Sequence, residues 1–295
     1  MKRKTFLSLC TLLMMLLTAT LASAETSWKE IADDGNYAKL FQPGSVKTLE
    51  QVNGVATKIT AKIKATYSFD AAVETIENYE IANVITDPSR LSYSIATVEV
   101  NPQHRTIEYV SEEFFDENDN KIWEKVYNPR TTKEINSMSF EEDYYAAIVD
   151  IIFRQGEAER CKAPDRWRSL WNTTDKTGMS TAVMADTSTM RQRGEDYILY
   201  WEWTEVKDVN GAVKEVKFLK KTVKLSDGTE KVLQGRTWNA EKGWQSVKAT
   251  GQFVNISDKG PQAGGLMVLR AYTKGYQYWL NRYRTDKIVT LPTKK

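Results

Sequence analysis

A catalytic or metal site needs bases and ligands within reach of one another, and this chain of 295 residues carries them sparsely. His104 is the single histidine. Imidazole titrates near neutral pH and is the commonest metal ligand, but no second histidine stands beside His104 to build a zinc set, and it follows Pro102 in an expected turn. Cys161 lies between Arg160 and Lys162, whose charges favour a thiolate, yet a nucleophile without a base is not a mechanism. An intermolecular bridge and an incidental thiol near a domain joint are its other readings. Asp33-Asp34, Glu112-Glu113 and Glu141-Glu142 are acid pairs of the kind glycosidases use, but neighbours along a strand point to opposite faces. Asp116, Asn118 and Asn120 match the first three ligand positions of a calcium loop. The position needing glycine is Lys121 and the position needing glutamate is Tyr127, so a hairpin turn is expected. No catalytic residue, metal ligand or cofactor motif emerges, and the expectation is that the protein is not an enzyme.

Aromatic residues are in excess instead, with 9 Trp and 14 Tyr. Tyr197, Leu199, Trp201 and Trp203 share one face of a strand pattern. Tyr272, Tyr276, Trp279 and Tyr283 recur at helical spacing, flanked by Arg270, Lys274, Arg282 and Arg284. Exposed Trp and Tyr beside Arg are typical interface anchors, which makes Trp201, Trp203, Tyr276 and Trp279 the candidate binding surface. The other reading is that the two stripes pack on each other as a core.

The elements that would position these residues read mainly as strands. Residues 55–67 alternate strictly: Val55, Thr57, Ile59, Ala61, Ile63, Ala65 and Tyr67 on one face, lysines and threonines on the other, the period of a half-buried antiparallel strand. A helix is expected over 70–79 with Asp70 as N-cap. Strands follow at 91–100, 105–115 and 122–127. Ser139 and Glu142 form a capping box for a helix carrying Tyr144, Tyr145, Ile148, Ile151 and Ile152, with Gly156 placed to stop it. The charged, Pro-containing stretch 157–166 reads as a linker. The order then recurs: strands at 182–190, 197–206 and 213–225 with Asn210-Gly211 and Asp227-Gly228 as turn signals, strands near 232–238 and 245–256, and a helix over 265–284. Strands first and a helix last, twice, predict an α+β chain of two similar domains. Each would be an antiparallel sheet with a C-terminal helix packed on it, at 25–156 and 167–295.

The run "EEFFDENDNKIW" followed by Ser139 opening a helix resembles secreted bacterial domains of the surface-adhesin protein E type. In the second half, "VMADTSTM" followed by "DYILYWEW" is similar to the start of such a domain. The resemblance implies a small α+β adhesin-like or envelope binding domain and carries over no catalytic residue. Such domains often hold a cysteine pair joining a strand to the last helix, which neither half has.

The first 24 residues set the expected compartment. Lys2-Arg3-Lys4, an apolar run of about 12 residues and Ala22-Ser23-Ala24 follow the layout of a cleaved secretory signal, the run being well short of the roughly 20 a spanning helix needs. Three of the 41 Lys and Arg lie there with no acids, leaving 38 against 39 beyond it. That even, interspersed balance argues against nucleic acid or anionic membrane as partner. Leu291-Pro292-Thr293-Lys294-Lys295 suggests a wall-sorting signal but lacks the hydrophobic tail. The expectation is a secreted or periplasmic protein, without a membrane span once the signal is removed, that binds an envelope, glycan or protein ligand. A secreted enzyme acting on cell wall or polysaccharide is the alternative, and an inert self-associating surface protein the third.

Overall fold

The computed structural model describes residues 27–286; the expected signal segment and the Leu291–Lys295 motif lie outside the described residues. Contacts divide the chain into two compact units. One holds the described residues up to Ile135 together with Phe140–Arg154, the other Asn136–Ser139 and the described residues from Gln155 onward.

In the first unit the strands are β1 (Lys29–Asp33), β2 (Tyr37–Phe41), β3 (Lys47–Val52), β4 (Val55–Tyr67), β5 (Tyr93–Asn101), β6 (Thr106–Phe115), β7 (Lys121–Val126) and β8 (Lys133–Glu134). They form one antiparallel sheet in the order β1-β2-β4-β5-β6-β7, with β3 also paired to β4 and β8 to β6. The expected alternation of β4 is realised from Ile59 onward, with Ile59, Ala61, Ile63 and Ala65 buried and Lys62 exposed, while at the strand's start Ala56 is buried in place of Val55 and Thr57. Burying an isoleucine there is worth about 1.5–3 kcal/mol. Helix α1 (Phe69–Asn78) starts one residue earlier than its sequence suggests. Ser68, not Asp70, is the N-cap, its hydroxyl accepting from the Ala71 N–H at 3.2 Å. It packs Ala72 and Ile76 against Phe114 of β6.

Helix α2 (Glu142–Phe153) also departs from its sequence signal. Its N-cap is Glu141, and the buried Ser139 hydroxyl has no hydrogen-bond partner. The start is fixed by ion pairs instead: Glu142 meets the buried Arg105, and Glu141 meets Lys133. The helix ends before Gly156, at Arg154 in the left-handed region (φ 53°). Its buried Tyr144, Tyr145, Ile148 and Val149 face the sheet at β1, β2 and β4, while Ile151 is exposed.

The second unit opens with helix α3 (Glu157–Lys162), which occupies the stretch expected to be a linker. Glu157 is wholly buried there, accepting from Arg191 at 3.1 Å, Arg282 at 2.8 Å and the Tyr283 hydroxyl at 2.9 Å. Cys161 is buried as well. The strands are β9 (Trp167–Thr174), β10 (Ser180–Asp186), β11 (Arg191–Arg193), β12 (Tyr197–Lys207), β13 (Val213–Lys224), β14 (Thr229–Asn239), β15 (Gly243–Val247) and β16 (Val254–Asn255). Their order is β9-β10-β12-β13-β14-β15, with β11 paired to β12 and β16 to β14. Strand for strand this is the order of the first unit, side pairings included. The difference lies after the long strand: β4 leads into α1, whereas β12 turns directly into β13. There Asp208 accepts from the Asn210 and Ala212 N–H groups and Gly211 takes a positive φ of 81°.

The long C-terminal helix expected over 265–284 is two helices, α4 (Pro261–Gly275) and α5 (Gln277–Leu280), separated at Tyr276. Helix α4 packs on the sheet through Leu269 and Tyr272 against Ile198, Tyr200 and Val223. It comes close enough to β9 that a Cβ on Gly265 would lie 2.7 Å from Trp171. Among the described residues no helix is long and apolar enough to cross a membrane.

Candidate functional site

The first unit contains a cavity of about 820 Å³ on the sheet face that carries α1 and α2. Its floor exists because the central strands are small there. Ala65 pairs with Ser94 and Ile63 with Ala96 across β4 and β5, and Ala96 faces Glu112 across β5 and β6. Side chains of that size leave the middle of the sheet uncovered, and larger ones stand round it. Tyr79 comes from the end of α1, Tyr109 from β6, Tyr127 from the residue after β7, and Phe140 and Tyr144 from the start of α2. Tyr37 and Tyr67 complete the wall from β2 and β4.

Glu112 is the polar centre, and only 5% of it is exposed. Its Oε2 accepts from the Tyr79 hydroxyl at 2.5 Å and the Tyr127 hydroxyl at 3.1 Å, and its Oε1 from the Ser94 hydroxyl at 3.1 Å. Ser94 in turn accepts from the Tyr67 hydroxyl at 2.6 Å, so two tyrosines act on the carboxylate directly and a third through serine. Burial pushes the Glu112 carboxyl above the ordinary glutamate value, against the pull of its three hydroxyl donors and the more distant charge of Lys125. Burial and the neighbouring Glu112 charge push the phenols of Tyr67, Tyr79, Tyr127 and Tyr144 up. They are therefore neutral donors throughout the physiological range.

The rim is charged. Lys125 lies 5.4 Å from the Tyr79 ring centre and 4.9 Å from that of Tyr127. Lys133 is held by Glu141, and Glu74 accepts from the Tyr37 hydroxyl at 3.0 Å. A concave, mainly aromatic site with a few converging polar groups is the usual form of a small-molecule pocket.

The residues singled out from sequence lie in the second unit and are not gathered into one surface. Trp201 is 5% exposed and stacks on Phe218 with ring centres 4.4 Å apart. Trp203 meets the edge of Trp167 at 6.5 Å and tilts against Phe218 at 6.0 Å. Both belong to the opposite face of β12 from Ile198 and Tyr200, which carry α4. The two stripes therefore do not pack on each other. Trp279 packs against the core under α4, its indole N–H donating to the Thr187 carbonyl at 2.8 Å and the Arg282 guanidinium lying 3.3 Å from its ring centre. Tyr276 is half exposed and stacks on Tyr272.

The remaining candidates have structural surroundings. The Asp116 carboxylate closes its own hairpin, accepting from the Asn118 and Asn120 N–H groups. Among the described residues no group of acids, histidine and cysteine is arranged to hold a metal ion. His104 is exposed in the β5–β6 turn, its N–H donating to Asn101. Glu112 and Glu113 do point to opposite faces, as adjacent strand residues must.

Simple alternation hides this cavity. A bulge between Thr97 and Val98 of β5 and their partners on β6 pairs Thr97 with Ser111 and Val98 with Tyr109. Tyr109 and Glu112, three apart, thereby line the same cavity, which a strict period of two forbids. The chain matches none of the protein-family models and no curated protein.

Proposed function

We propose that this is an exported binding protein of the cell envelope or extracellular space, and that its first unit holds a small ligand in the tyrosine-lined cavity. One observation carries the binding half: a hollow of about 820 Å³ lined by six tyrosines and Phe140 around a buried glutamate. A concave aromatic site with a few converging polar groups is the form that small-molecule pockets take. The basic, apolar and small-residue order of the first 24 residues supports export, and the mature chain is expected to begin at Glu25. Intact mass of exported material tests that, and a retained Met1 contradicts it. The common strand order of the two sheets supports descent of both units from one α+β plan. The similarity to surface-adhesin protein E-type domains is kept as part of this reading, supported by the "EEFFDENDNKIW" hairpin.

A neutral environment-sensitive dye, N-phenyl-1-naphthylamine, tests the cavity without knowledge of the natural ligand. Fluorescence titration is expected to show about one dye per chain, as for a single preformed pocket. Ala96→Phe, which places a ring on the cavity floor, is expected to weaken binding at least about tenfold, the loss of roughly 1.4 kcal/mol. Trp203→Ala is expected to leave binding unchanged. Undiminished dye binding in Ala96→Phe would place the dye elsewhere and count against the site.

A further inference from the structure

We infer that the ligand of the first unit's cavity is an organic cation, bound with its ammonium group between the tyrosine rings and the Glu112 carboxylate. The inference rests on the proposed role of the cavity and adds the chemical class of its occupant.

Three observations converge on positive charge. First, Glu112 is buried and receives three hydroxyl hydrogen bonds, yet no basic side chain among the described residues forms an ion pair with it. A carboxylate offers about four acceptor sites; Oε2 takes two donors and Oε1 one, so Oε1 keeps an acceptor position. Buried charges are ordinarily paired.

Second, the walls are largely aromatic. A cation over Tyr or Phe within about 6 Å is attracted by the ring quadrupole, and most strongly where water is excluded. Lys125 already takes such a position at the rim, over Tyr79 and Tyr127. Of the three carboxylates that line the cavity, Glu141 is matched by Lys133, while Glu74 accepts a neutral hydroxyl and Glu112 only neutral hydroxyls. The lining thus carries more negative than positive charge.

Third, the second unit solves the same problem internally. On the face of its sheet that carries α4, Glu202 is also buried and accepts from a tyrosine hydroxyl, Tyr200, at 3.2 Å. There Lys221 pairs with it at 2.8 Å and with Glu230 at 3.2 Å. In the first unit the buried lysine, Lys39, is taken by Asp143 at 3.0 Å, which leaves the cavity's Glu112 without one.

Wild-type protein titrated by ligand-observed NMR with matched probes tests this. Choline, its uncharged carbon isostere 3,3-dimethylbutan-1-ol and the anion 3,3-dimethylbutanoate share shape and differ in charge. Nα-acetyl-lysine amide presents an ammonium as a peptide would. The expected result is choline or the lysine derivative bound at least about tenfold more tightly than the alcohol, with the anion weakest. Choline ahead of the lysine derivative assigns a small free ammonium compound, and the reverse order assigns a peptide side chain. Glu112→Gln is expected to remove the preference for cation over alcohol. Equal binding of choline and the alcohol, preference for the anion, or no binding of any probe while the naphthylamine dye still binds overturns the cation and leaves the cavity reading standing. Failure of the dye as well overturns both.

Discussion

Among single residues, Glu112 pays a burial cost for its place in a tyrosine shell. Its carboxyl is raised above the ordinary value of 4.5 because burial disfavours the charged form. The native state therefore holds the proton more tightly than the unfolded chain does. Glu112 then favours folding most below pH 4.5, and that contribution is lost as pH rises through its native value. Urea melts of wild type and Glu112→Gln across this window should show the wild type losing ground relative to the variant as pH increases. A difference that is flat with pH, or that runs the other way, would mean the carboxyl is not raised. The hydroxyl donors oppose the burial cost. Tyr79→Phe removes the closest of them while keeping the ring, and is expected to cost about 1.5–3 kcal/mol, the range for a hydrogen bond to a charged group. It should also move the native Glu112 value further up, which a 13C-carboxyl NMR titration reads directly.

At the scale of elements, the sequence was most legible where one periodicity governs one environment. Strand β4 runs over Val55–Tyr67 as its alternation dictates, and both C-terminal helices follow their sheets in the expected order. Ends set by long-range partners were not legible. Helix α2 begins where Glu141 and Glu142 find Lys133 and Arg105, not at the local Ser139 signal. The helical spacing of Tyr272, Tyr276, Trp279 and Tyr283 ran through a break, because Arg282 and Tyr283 are drawn to the buried Glu157 on α3. The cavity was invisible for a related reason: its lining comes from eight elements or their ends, and a bulge breaks the strand period between Tyr109 and Glu112. The aromatic stripes give a test at this scale. Trp201→Ala should cost roughly 3–5 kcal/mol, the cavity left by a buried tryptophan, and Trp279→Ala a comparable amount with loss of the Thr187 bond. Tyr276→Ala should change stability by about 0.5 kcal/mol or less, as exposed positions do. Thermal melts of the three variants separate these outcomes, and unchanged stability for Trp201→Ala would return that residue to the list of surface anchors.

At the scale of the whole molecule, two sheets with one strand order have been put to different uses. The first inserts α1 after its long strand and leaves small residues on the neighbouring floor, which together create a hollow. The second closes the same connection with a tight turn and fills the face under α4 with Ile198, Tyr200, Val223 and Leu269. The stretch between them is not a loose joint. With Glu157 and Cys161 buried in α3, brief trypsin digestion should spare Arg160 and Lys162. The first cuts should fall at Lys248 or Lys259, in a segment exposed almost continuously from 248 to 260. Early release of fragments ending at Lys162 would instead show that α3 opens readily.

A crystal structure grown with N-phenyl-1-naphthylamine would show whether the first unit holds a ligand. Density for the dye is expected above Ser94 and Ala96, between α1 and the start of α2, in contact with Tyr79, Tyr127 and Tyr144. Dye seated on the second unit, or a space above Ala96 filled by the protein's own side chains, would contradict it.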